Sequence, residues 1–142
     1  MRMIAGNRFI LNRVASSLWW LQKVKTGAIK VNEKTLPRIQ EWEHFVETHA
    51  YSSAQDLRHE YAATPTPELQ DDRRRLKEAR AMWKARRQEA AQLAEAPDAP
   101  RELAAEVVTA EIAMLEGDMQ IDLINEELKR RKPPRQNLPR RA

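Results

Sequence analysis

The stretch from Pro100 to Arg131 constrains the fold most, because as a helix it is apolar on two opposite sides. Leu103, Val107, Ala110, Met114, Gly117, Ile121, Ile124 and Leu128 follow one another at alternating intervals of four and three residues, which is the spacing of a complete helical seam. Val108, Ile112, Leu115, Met119 and Leu123 form a second stripe almost diametrically across the same helix. Acidic side chains fill the strips between, with Glu102, Glu116 and Glu127 on one side and Glu111, Asp118 and Asp122 on the other. Eight acids and no base occur from Glu102 to Glu127. A helix with two apolar faces needs cover on both, and the cover beyond the preceding helix must come from the N-terminal helices or from another chain.

The preceding segment is the natural cover for the seam. From Thr66, expected to cap, and Pro67, expected in the first turn, a helical pattern runs to about Ala96. It places Leu69, Leu76, Trp83 and Ala90 every seven residues. Asp72 and Arg86 interrupt the other half of the heptad, leaving a single stripe. Eight basic residues and one acid, Glu78, lie between Arg73 and Arg87. Arg73, Lys77, Arg80 and Lys84 edge the stripe. The break Pro97-Asp98-Ala99-Pro100 is short, and short connections make antiparallel neighbours. Two arms of about 30 residues, each roughly 45 Å long at ~1.5 Å per residue, match in length and are opposite in charge. Exposed ion pairs contribute only about 0–1 kcal/mol each, so apolar burial at ~25 cal/mol per Å² is expected to dominate that pairing. The seam would be built by Leu69, Leu76, Trp83, Val107, Met114, Gly117, Ile121 and Ile124. Small residues at Ala110 and Gly117 would admit a close partner backbone, with a kink at Gly117-Asp118 as the alternative.

Residues 1–32 carry six basic side chains and no acid before Glu33. On a helical wheel Ile10, Leu11, Val14, Leu18 and Leu21 share one face, and Arg8, Asn12, Arg13, Ser16, Ser17 and Lys23 the other. A basic, Ser-containing, acid-free amphipathic start is the chemistry of a mitochondrial import signal. Trp19 and Trp20 beside basic residues equally suit a headgroup-level helix, and plain packing on a core is the third reading. Residues 35–63 read as two short helices, one opened by Thr35 and Pro37, the second capped by Ser52 or Ser53 with Asp56 three positions on. Thr64-Pro65-Thr66-Pro67 then ends the helical conformation.

The C-terminal residues 132–142 continue a basic run that begins at Lys129 and includes Arg130, Arg131, Lys132, Arg135, Arg140 and Arg141. With Pro133-Pro134 it is expected to be extended and to meet RNA phosphates, acidic lipid headgroups or an acidic protein groove. A disordered, solvating tail is the alternative.

The expected architecture is therefore all-α. An amphipathic N-terminal helix (1–32) is followed by two short helices (35–63), a long antiparallel helical hairpin (66–131) and a basic tail (132–142). No apolar run reaches the 18 residues that a membrane span needs. The chain has no cysteine, which removes disulfides and thiolate chemistry. His44, His49 and His59 lack the i,i+3 or i,i+4 spacing of a helical metal site. No Gly-rich phosphate loop or nucleophile elbow occurs, so no catalysis, cofactor or small-molecule substrate is expected. The expected role is a non-catalytic supernumerary or scaffold subunit of a large mitochondrial assembly, a respiratory-chain or ATP-synthase complex, on the matrix side or at the inner membrane. Its partners would be other subunits, met through Trp19, Trp20, Val108, Ile112, Leu115, Met119 and Leu123. A mitochondrial ribosomal protein with rRNA-contacting tails, or a bacterial or viral coiled-coil assembly protein, are the alternatives.

Overall fold

The computed structural model describes residues 5–132, with side chains from Phe9 onward. Helix α1 spans Ala5–Lys25, α2 Leu36–Ala62, α3 Thr66–Leu93 and α4 Arg101–Arg131, and no strand occurs among the described residues.

Each helix stops for a local reason. Just past the end of α1 stands Gly27, at φ +85°, a backbone state that costs a glycine little. The following loop is tied by Asn32, whose Oδ1 accepts the Lys34 and Thr35 backbone N–H groups at 2.9 and 3.1 Å. Thr35 Oγ1 donates to the Lys30 carbonyl at 2.6 Å, and Pro37 sits in the first turn of α2. At the other end of α2, Thr64 Oγ1 donates to the Glu60 carbonyl at 2.7 Å. The cap of α3 is Pro65, and Thr66 makes no side-chain cap. Its Oγ1 instead accepts Arg131 Nη1 at 2.8 Å. Helix α3 closes at Leu93, before the expected Ala96, and α4 is capped by Pro100.

Two short helices were expected over 35–63; the structure has one, of 27 residues. A serine caps only if the chain leaves the α conformation, so that its oxygen can accept an N–H. Here Ser52 Oγ and Ser53 Oγ donate backwards to the His49 and Ala50 carbonyls at 3.2 and 3.1 Å, the habit of a hydroxyl inside a continuing helix. Ser53, Leu57 and Tyr61 are buried on one side of α2, so an unbroken helix keeps that stripe in register.

All four helices supply one core cluster: Leu11 from α1, Leu57 and Tyr61 from α2, Leu69 from α3, Ile124 and Leu128 from α4. Leu76, Met119 and Leu123 pack against it. Complete burial of a Leu or Ile contributes roughly 1.5–3 kcal/mol, so this end of the molecule anchors the rest. Contacts between α3 and α4 run in opposite chain order: Arg73 to Asn125 at 2.8 Å, Arg80 to Asp118 at 2.6 Å, Arg87 to Glu111 at 2.6 Å. Helix α1 lies on α4 through Asn12–Glu116 at 2.7 Å and Trp19–Glu111 at 2.9 Å, and on α2 through stacked Trp20 and Trp42, 5.4 Å between centroids. Between Ala110 and Ile121 no residue of α4 is fully exposed.

Candidate partner interface

The second stripe of α4 is covered from within the chain. Val108, Ile112, Leu115, Met119 and Leu123 are all half-buried. Met119 and Leu123 join the core cluster, Leu115 faces Leu18 and Trp19 across a cleft, and Ile112 faces Asn12 and Ser16 across another. The two tryptophans are likewise engaged. Trp19 Nε1 donates to Glu111, and Trp20 lies edge-on to Trp19 at 4.8 Å and flat on Trp42. Of these seven residues, expected to be a partner face, six meet other helices of the same chain and Val108 is half-buried. The physical reason is length: α1 and α2 are long enough to lie along α4, which sequence periodicity alone does not show.

Of the seam, Leu69, Gly117, Ile121 and Ile124 are buried, and Leu76, Trp83, Val107 and Met114 are half-buried. Gly117 does not mark a close approach of backbones. A Cβ built there meets nothing within 4 Å, because it opens on a cleft of about 460 Å³ bordered by Asn12, Ser16, Leu76 and Trp83. Helix α4 runs through it unbroken. On α1 the buried residues are Leu11, Val14, Ala15 and also Ser17. Ser17 was expected on the polar face and is enclosed instead, because α1 has α2 on one side and α4 on another.

Two polar centres organise the molecule. Glu111 on α4 accepts Trp19 Nε1 at 2.9 Å and Arg87 Nε at 2.6 Å, with Lys23 Nζ at 3.8 Å. Burial pushes its carboxyl up, but the hydrogen bonds from Arg87 and Trp19 and the charges of Arg87 and Lys23 outweigh this and hold it below the usual carboxylate range.

The second centre is Arg131. Its Nη2 donates to the carbonyls of Tyr61, Thr64 and Ala62 at 2.8, 2.7 and 3.3 Å, and its Nε donates to Glu127 at 2.7 Å. A guanidinium thus closes the C-terminal end of α2, where unpaired carbonyls and the helix dipole favour a cation. The Arg130 hydrogen bond, opposed by burial and joined by that of Arg131, holds Glu127 below the usual range.

This changes the meaning of the basic run. Arg131 is a fastener inside the fold, and Arg130 is held to Glu127 at 2.5 Å; Lys129 and Lys132 are the members of the run exposed without such a bond among the described residues. Arg135, Arg140 and Arg141 lie outside the described residues. Neither centre was read from sequence. The Glu127–Arg131 spacing of four was visible, but the carbonyls that Arg131 meets lie 67 to 70 residues away along the chain.

Among the described residues, His, Asp and Glu form no group of three or more able to hold a metal ion, and no helix is long and apolar enough to cross a membrane. His44 and His59 are exposed, while His49 packs against Phe45 at 4.4 Å. Compared with family models, with curated proteins and with solved structures, the chain finds no match.

Proposed function

We propose that this chain is a non-catalytic scaffold subunit of a larger protein assembly. In it, α3 and α4 form an antiparallel helical hairpin, and α1 serves as an amphipathic N-terminal clamp on it. The observation that carries this reading is how the long polar side chains are used. Arg80–Asp118, Arg87–Glu111, Arg58–Glu126 and the Arg131 cluster each join one helix to another. Groups that could do chemistry act as struts.

The basic, acid-free character of residues 1–32 supports a mitochondrial address, and with it a supernumerary subunit of a respiratory-chain or ATP-synthase complex at the inner membrane or on the matrix side. Such an address has to be retained, since Leu11, Val14 and Ala15 are core residues. The ribosomal alternative rests on the residues after Lys132; within the described part, Arg130 and Arg131 are already bound to Glu127.

Epitope-tagged full-length chain, fractionated by native electrophoresis, tests the reading. Comigration with a membrane protein complex supports it. Migration as a free small protein, or with ribosomal RNA in a nuclease-sensitive particle, overturns it. A reporter carrying residues 1–32 that stays outside mitochondria removes the address.

A further inference from the structure

The two helix pairs present opposite charges at one end of the molecule. Lys23, in the last turn of α1, reaches Glu111 at 3.8 Å. Arg58, near the C-terminal end of α2, reaches Glu126 at 2.8 Å. Thus α1 ends, and α2 begins, towards the start of α4. The α1–α2 loop and the α3–α4 turn therefore lie at the same end, opposite the core cluster. The first carries Lys25, Lys30, Lys34 and Arg38 around Val31 and Leu36, which are 62% and 42% exposed. The second carries Glu89, Glu95, Asp98, Glu102 and Glu106 around Leu93, 53% exposed. None of these nine charges has an ion-pair partner among the described residues, in contrast to Arg58, Arg80 and Arg87. The Asn32–Thr35 hydrogen bonds hold Val31 and its flanking lysines in a fixed arrangement.

We propose that this end is a self-complementary surface through which two copies of the chain pair. The basic loop of each copy seats against the acidic turn of the other about a two-fold axis, and Val31, Leu36 and Leu93 are enclosed between them. Charge segregation selects a second copy over an anionic lipid or nucleic-acid surface. Counting Arg101 with the bases and Glu33 with the acids, the two halves nearly cancel, so a uniformly negative surface attracts one half and repels the other. A surface divided in the same way satisfies both. Apolar burial supplies the attraction, and the charges set register and encounter rate. Pairs at such a rim are individually weak and screened by salt, so the dimer is weak and salt-sensitive. It is independent of which larger assembly holds the chain.

Sedimentation analysis of the full chain tests this. In about 50 mM salt the wild type self-associates, and raising salt to roughly 0.5 M weakens the association at least about tenfold. The charge reversals K30E/K34E and E102K/E106K each weaken it at least about tenfold, and an equimolar mixture of the two variants recovers wild-type affinity within about threefold. All four positions are solvent-facing, so circular dichroism stays unchanged. A chain that is monomeric at about 1 mM, reversals without effect, or no recovery on mixing overturns the proposal. So does selective binding to phosphatidylglycerol vesicles that K30E/K34E abolishes while self-association is untouched.

Discussion

Arg131 Nη2 lies 2.8 Å from the carbonyl oxygen of Tyr61, so the last residue of α4 completes the C-terminal end of α2. Methionine at Arg131 keeps much of the stem and removes every one of these donors. It takes the guanidinium donor from the part-buried Thr64 carbonyl, leaves the Tyr61 carbonyl to the Thr64 N–H at 3.1 Å, and takes one partner from Glu127. Hydrogen bonds to charged groups contribute about 1.5–3 kcal/mol. Arg131→Met is therefore expected to destabilise the protein by about 2–4 kcal/mol, read as a fall in the urea midpoint at unchanged slope. A lysine keeps the charge but loses the fork, and recovers part of the loss. An unchanged midpoint in the methionine variant would show that water satisfies the carbonyls equally well.

Gly117 gives a prediction of the opposite sign. Its missing side chain has no packing reason, since a Cβ there meets nothing within 4 Å. Glycine inside a helix is about 0.8–1 kcal/mol less favourable than alanine. Gly117→Ala should raise stability by about that amount, seen as a thermal midpoint higher by a few degrees. A lower midpoint would show that α4 needs a conformation alanine resists.

Ser52 and Ser53 discriminate between a helix start and a helix interior. At a cap, replacement by alanine costs about 1 kcal/mol. Inside a helix alanine is the better residue, by up to ~0.5 kcal/mol. Because both hydroxyls donate to carbonyls three residues back, each alanine variant should be neutral to slightly stabilising, with undiminished ellipticity at 222 nm. A loss near 1 kcal/mol would restore the two-helix reading.

Acid should weaken the fold through Glu111 and Glu127. Both carboxyls are held below their ordinary range, Glu111 by hydrogen bonds and charge that outweigh its burial, Glu127 by Arg130 ahead of its own burial. A depressed folded value means that these groups stabilise the protein above the unfolded glutamate pKa, about 4.3. The contribution is lost as pH falls through their folded values. Urea midpoints measured from neutral pH downward should fall below about pH 4.5, and Glu111→Gln should flatten that slope. An equal slope in the variant would place the acid sensitivity elsewhere.

The helical class is legible in the sequence because its signals are local. Glycine is scarce, prolines gather at Thr64–Pro67 and Pro97–Pro100, and the apolar spacing of residues 103–128 is regular. What sequence reading misses depends on tertiary partners. Ser52 and Ser53 look like a start until the stripe through Ser53, Leu57 and Tyr61 shows why α2 continues. Gly117 looks like a contact until α3 and α1 are seen to leave a cleft beside it. The need of α4 for two covers follows from its two stripes, but the identity of the second cover does not. A helix face does not reveal whether its neighbour comes from the same chain, and here α1 and α2 supply it.

The Asn12–Glu116 contact joins residues 104 positions apart in the chain. While the chain is being synthesised, α1 therefore waits for α4. At ~5–20 residues per second, roughly 5–20 s separate the appearance of Asn12 from that of Glu116. Through that interval Leu11 lacks Ile124 and Leu128, its partners from α4 in the core cluster. Completion of α4 is the event that closes the fold, and every shorter nascent chain carries an α1 whose α4-facing side is uncovered.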